Sequence, residues 1–220
     1  MMKKQGWELT ESQRIAEPEE KEAMWEYFYY DDGRLRYGPE TPEQRAEHSR
    51  RVKLADAQAE GFPEEKREFI RKRLMKYRAE DLKNANMHSN TEEEIIRGYG
   101  SLVPGYYDPK DKSVHILRGE EWCLDHEMAH FLTDKKFGTT DPAKYSKFLK
   151  GEYRVEIETY LGDHAVKDEG EVIAETFRLM QSDPAWVRYA MRKSQRVKEL
   201  INSVVDDFGY RIGRTGRRKR

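Results

Sequence analysis

Two histidines one helical turn apart, His126 and His130, constrain this chain more than any other feature. They enclose Glu127-Met128-Ala129 within a stretch, Glu120 to Phe137, that reads as a helix closed by Gly138. Residues four apart share one face of a helix, so both imidazoles can reach a single metal ion. Zinc (Zn2+) suits them, because it accepts neutral imidazole nitrogens at about 2.0–2.1 Å and tolerates a partly open tetrahedral shell. Glu127 is then the candidate general base for a water activated there. Two histidines leave the ion one protein ligand short of the usual three, so a further element must face this helix. The competing reading is a surface helix that carries the pattern by accident, since only three of its five positions are fixed.

Glu171-Val172-Ile173-Ala174-Glu175-Thr176-Phe177 offers the missing element, with two carboxylates four apart on one helical face. Glu171 can ligate while Glu175 accepts a hydrogen bond from a ligating imidazole, the partner such histidines usually have. Taken alone, the two glutamates read better as a solvated face; following the histidine helix, with small Ala174 between them, they read better as a site.

The rest of the chain divides by local signals. Residues 1 to 40 form a polar and aromatic N-terminal arm, with a dense cluster from Met24 to Tyr30 before the turn at Asp31-Asp32-Gly33. Thr41-Pro42-Glu43-Gln44 opens a helix that ends near Gly61, and a second runs from Pro63 to about Asn84. Phe69, Ile70, Leu74, Tyr77 and Leu82 mark the core-facing stripe of the second helix. Thr91-Glu92-Glu93-Glu94 is a capping box for a short helix stopping at Gly98. Gly105 to Tyr107 and Ser113 to Leu117 flank a Pro-containing turn and read as a hairpin. Asp141-Pro142 starts another helix, and Glu152 to Leu161 is ambiguous between strand and helix. Glu171 to Met180 is helical, and Asp183-Pro184 begins one long terminal helix.

At this point the sequence resembles a known family, the catalytic domain of anthrax lethal factor and the related Pro-Pro endopeptidases of clostridia. The resemblance rests on His126-Glu127-Met128-Ala129-His130 and on Glu171 through Met180, and spans roughly residues 100 to 208. It implies a zinc endopeptidase of the gluzincin type, with His126, His130 and Glu171 as metal ligands, Glu127 as base and Glu175 behind a ligand. The family places a tyrosine that stabilises the transition state seven residues before the ligand glutamate; this chain has His164 there. Tyr160 is the alternative donor, if the loop after it lets the ring swing in.

The fold class expected is α+β: a predominantly helical, zincin-like domain over residues 41 to 210, with a small mixed sheet beside the metal helix. A peptide substrate is expected to lie extended along an edge strand near Ser113 to Leu117. His115 alternates with Val114 and Ile116, and reads as a strand histidine satisfied by neighbours. His48 and His88 sit among polar residues and read as solvent-exposed. The single cysteine, Cys123, rules out an intrachain disulfide and reads as a small buried residue. Lys and Arg total 41 against 42 acids, so net charge selects no partner. The one basic run, residues 211 to 220, could meet nucleic acid through phosphates, although a solvated terminus is the commoner outcome. No stretch resembles a secretory signal or approaches the roughly 20 apolar residues of a membrane span, so a cytoplasmic location is expected. Two alternatives compete with a general endopeptidase. One is a phage- or virion-associated interaction protein that keeps a peptidase fold, and the other a regulatory protease that cuts one cytoplasmic protein.

Overall fold

The structure, a computed structural model, describes residues 28–31, 34–37, 42–210 and 212. Phe28–Asp31 (β1) and Arg34–Tyr37 (β2) pair as an antiparallel hairpin. The polar arm before them lies outside the described residues, and so does the basic run, Ile212 apart.

From Pro42 onward the chain is mostly helical. Pro42–Ala59 (α1), Glu64–Leu74 (α2) and Ala79–Asn84 (α3) come first, then Asn86–Asn90 (β3) and Glu92–Tyr99 (α4). Gly105–Asp108 (β4) and Ser113–Leu117 (β5) follow, and a 3-10 turn at Glu121–Cys123 leads into Leu124–Phe137 (α5). A 3-10 segment, Ala143–Leu149, precedes Gly151–Leu161 (α6), and a short one, His164–Val166, precedes Glu169–Ser182 (α7). Pro184–Lys193 (α8) and Gln195–Phe208 (α9) complete the order. The class is α+β, as expected, and no described helix is long and apolar enough to cross a membrane.

Several elements differ from the sequence expectation for identifiable reasons. The helix expected over residues 63–84 breaks between Leu74 and Ala79, where Tyr77 turns inward to donate to Asp125 Oδ1 at 2.7 Å. Its stripe holds for Ile70, Leu74, Tyr77 and Leu82, but Phe69 is 43% exposed and lies under the Arg73 guanidinium. The long terminal helix breaks at Ser194, whose hydroxyl accepts from Val197 N at 3.0 Å and so caps α9 afresh. The helix expected after Pro142 is a 3-10 segment, and the ambiguous stretch is α6. The short helix continues past Gly98 to Tyr99 and is closed by left-handed Gly100.

β3 had no sequence signal, since only Met87 of Asn-Met-His-Ser-Asn is buried. It pairs in parallel with β5, which gives the sheet the order β3-β5-β4. Ser113 to Leu117 is therefore the central strand, not an edge. The strand that borders the cleft with one side unpaired among the described residues is β4.

α5 is buried on nearly every side, which explains why it carries no clean polar face. It packs most extensively on α7 and also against β4 and β5. Three of its buried residues are ionisable: Asp125, His126 and Glu127. Asp125 is fully buried and receives Tyr77 Oη and Arg73 Nη1, so both α2 and the break after it are tied to the start of α5. Removing one member of a buried charged pair typically costs about 3–5 kcal/mol, because the partner is left uncompensated. Asp125→Ala should lower unfolding free energy by that amount in urea titrations, and Tyr77→Phe by about 1.5–3 kcal/mol, the range for hydrogen bonds to charged groups.

Candidate metal centre

His126 and His130 project from adjacent turns of α5 and meet Glu171 from the first turn of α7. His126 Nε2 lies 3.2 Å from His130 Nε2 and 3.2 Å from Glu171 Oε2, and His130 Nε2 lies 3.7 Å from Glu171 Oε1. A tetrahedral zinc with bonds of about 2.0–2.1 Å holds its ligand atoms about 3.3 Å apart, so the triad has the size such an ion requires. All three donor atoms fall within 4.8 Å of one another. Glu171 Oε2 is a buried oxygen with no aligned hydrogen-bond donor, although ring nitrogens of His126 and His164 lie close by. Two facing imidazole nitrogens and an orphaned carboxylate oxygen fit a cation better than they fit each other.

The start of α7 explains why Glu171 points there. Asp168 caps the helix by accepting from Glu171 N at 2.7 Å, and Asp141 Oδ1 accepts from Gly170 N at 3.2 Å. A side chain at Gly170 would meet Asp141 Oδ1 at 2.7 Å and Thr140 O at 2.9 Å, so only glycine seats this end of the helix against the segment after α5.

Behind the triad, Glu175 Oε2 lies 3.4 Å from His126 Nδ1 and accepts from Arg178 Nε at 2.9 Å. Burial works against ionisation of Glu175, yet Arg178 and His126 outweigh it and hold its pKa down to about 2. Burial also opposes ionisation of Glu171, and the three histidines around it again win, so its pKa is lowered. Burial pushes His130 down, towards the neutral form that ligates metals. Glu127 is buried beside the triad, and desolvation raises its pKa to about 7 despite His126.

His164 lies at the rim, with Nε2 2.7 Å from Glu171 Oε2. Its Nδ1 is 2.7 Å from Lys167 Nζ, and an ammonium can only donate. That contact assigns the proton of a neutral ring to Nε2, the nitrogen facing the centre. Tyr160 is not brought in. Its ring packs beside Trp186, whose Nε1 donates to Tyr160 O at 2.7 Å, and it does not line the cleft.

The triad sits in a cleft of about 630 Å3. One wall is β4 with the residues leading into it, and exposed Tyr99 and Trp122 stand at the same mouth. The other wall carries Asp141, Asp168, His164 and Arg178. Of these, sequence reasoning assigned a role only to His164. The capping position of Asp168, three residues before Glu171, was the signal available for it. His115 does not line the cleft; it is held by Ser113 Oγ at 2.7 Å and Asn90 Oδ1 at 3.1 Å and stacked on Tyr106. His88 is exposed as expected, whereas His48 is half-buried. Cys123 is buried as expected, and burial lifts its thiol well above the usual range.

No family model, curated protein or solved structure matches the chain.

Gly105 sets the distance between β4 and Glu127. A Cβ there would meet His115 O at 2.8 Å, Cys123 Sγ at 2.9 Å and Glu127 Cγ at 3.1 Å. Gly105→Ala should therefore destabilise the fold by about 1–3 kcal/mol, the usual cost of overpacking, in chemical unfolding. Cys123→Ala should relieve only part of that loss, because the His115 carbonyl stays in place.

Proposed function

We propose that this chain is a zinc-dependent endopeptidase with a zincin-like core of the gluzincin type. The observation that carries the reading is the meeting of His126, His130 and Glu171 around buried Glu127, in a cleft bordered by a strand with a free edge. The same residues carry the resemblance to the lethal factor and Pro-Pro endopeptidase family.

The three ligands would hold a zinc ion, which supplies Lewis acidity to polarise a peptide carbonyl and to make water nucleophilic near neutral pH. Glu127 takes the proton of the attacking water and delivers it to the leaving amine. Its burial excludes bulk water from that transfer. His164 Nε2–H donates to the oxyanion that develops on the carbonyl oxygen, the part played by tyrosine in the family. Glu175 orients His126. An extended peptide adds to the free edge of β4 through main-chain hydrogen bonds. Tyr99 and Trp122, 57% and 48% exposed, offer apolar contact for a substrate side chain at the mouth.

Zinc content and peptide cleavage test this together. Purified protein should carry about one zinc per chain, and His126→Ala or Glu171→Ala should release it. Glu127→Gln should retain the metal while cleavage of a peptide library collapses, since Glu127 acts on water and is not a ligand. A chain that cannot be loaded with zinc sinks the proposal. Stoichiometric zinc with no cleavage of any peptide would instead favour an interaction protein that keeps a peptidase-like site.

The oxyanion donor has its own test. His164→Ala should lower kcat by about 10²–10³-fold with little change in KM, the loss typical of one such donor. His164→Tyr should recover part of it, and Tyr160→Phe should leave turnover alone. If Tyr160→Phe were the damaging change, the donor would be Tyr160 after a rearrangement of the loop that follows it.

A further inference from the structure

Arg178 is the one full cation that borders the metal cleft from α7, and the sequence patterns assign it no role. Its guanidinium grips Glu175 with two nitrogens: Nε donates to Oε2 at 2.9 Å, and Nη2 donates to Oε1. The side chain is only 22% exposed and Glu175 only 10%, so the pair is not a solvent-screened surface contact. Oε2 of the same carboxylate lies 3.4 Å from His126 Nδ1. The chain of contacts runs from Arg178 through Glu175 to His126, whose other nitrogen faces His130 and Glu171.

We infer that Arg178 is a positioning residue for the metal, acting through Glu175 to fix the ring orientation and tautomer of His126. Three physical points carry this. A lone glutamate side chain rotates about three bonds, and a bidentate guanidinium fixes the plane of its carboxylate as a point charge cannot. With that plane fixed, Oε2 keeps acceptor capacity for His126 Nδ1–H, and a proton on Nδ1 leaves Nε2 with the lone pair that a metal takes. The guanidinium also cancels the charge of Glu175, so that charge does not add to those of Glu171 and Glu127 at the centre. Asp125, held by Arg73 and Tyr77, adds a second negative charge near the guanidinium and favours its place behind the site. The inference rests on the reading of this centre as a zinc site.

Zinc affinity, measured by competition with a chromophoric chelator at fixed pH, tests it without reference to turnover. Arg178→Met should weaken zinc binding by about 10–100-fold, the range seen when the partner of a ligating histidine is lost. Glu175→Gln should weaken it similarly, and adding Arg178→Met to Glu175→Gln should cost little more, because both act through one carboxylate. Arg178→Lys keeps the charge but loses the fork, and should fall between wild type and Arg178→Met. The cobalt-substituted protein should show the same order in the shift of its visible bands. Wild-type zinc affinity in Arg178→Met, or a full additive loss in the double variant, would overturn the inference. So would a raised KM with unchanged zinc affinity, which would make Arg178 a substrate contact. If Arg178→Met fails to fold, the same comparison is made with Arg178→Lys in both backgrounds, and the same outcomes decide. A wild-type chain that holds no zinc defeats the parent reading as well; a zinc-holding chain indifferent to Arg178 defeats this inference alone.

Discussion

Burying charge between α5 and α7 is the constraint on which the rest of this structure depends. An isolated ionised side chain is very costly to desolvate, and it persists inside a protein only when paired and hydrogen-bonded. The two helices run antiparallel where they meet, since His126 reaches Glu175 while His130 reaches Glu171. Along that seam lie Asp125, His126, Glu127 and Glu175, all buried, with Glu171 at its edge. Most of these have compensation from elsewhere in the fold. Asp125 is held by Arg73 and Tyr77, and Glu175 by Arg178 and His126. Glu171 Oε2 has ring nitrogens nearby but no aligned hydrogen-bond donor, and desolvated Glu127 lines the same cleft. Two carboxylates crowded beside a pair of imidazoles concentrate negative charge where a cation would meet it.

That arrangement accounts for features of the scaffold that would otherwise look unrelated. The break after Leu74 lets Tyr77 leave helical geometry and reach Asp125, so an interruption in one element stabilises the start of another. Tyr77 also stacks on Phe177 of α7 and meets Tyr210 edge-on, which links the same break to the helix that bears Glu171. Gly105 and Gly170 serve the close approaches on either side of the centre, the first between β4 and Glu127, the second between the start of α7 and Asp141. Neither glycine needs an unusual backbone angle; each is there because a Cβ would collide.

Much of this was legible in the sequence, because some signals are local. The four-residue spacing of Glu171 and Glu175, the capping box at Thr91 and the left-handed Gly138 closing α5 each act within one or two turns, and each appears in the structure where the residues place it. Four of the five residues singled out by two short motifs, His126, His130, Glu171 and Glu175, contact one another although about forty residues separate the motifs, and Glu127 lines the same cleft. What stayed hidden is long-range. β3 forms from Asn-Met-His-Ser-Asn only because β5 offers it a partner, and no local pattern encodes a parallel pairing. That unseen strand is why β5 is central and the cleft edge falls to β4. Trp122, Asp141, Asp168 and Arg178 face the cleft from four different segments, so their convergence is a property of topology and not of spacing.

The placement of His164 shows how much a site can depend on a short irregular segment. Gly162, with φ of +97°, ends α6 in a conformation that other residues rarely adopt, and the chain then makes a single 3-10 turn before Asp168 caps α7. Ala165 and Val166 anchor that turn in the core, while Arg154 Nη1 donates to Val166 O at 2.9 Å. The turn is thus fixed from below and from α6, and His164 is left on its outer side against Glu171. Tyr160, one turn earlier, is still part of α6, where its backbone carbonyl is committed to Trp186 on α8. To reach the cleft it would have to give up that bond and unwind the end of a helix. His164 needs no such rearrangement: α6 ends at Leu161, one residue after Tyr160, and the 3-10 turn that follows sets the imidazole beside the candidate ligand.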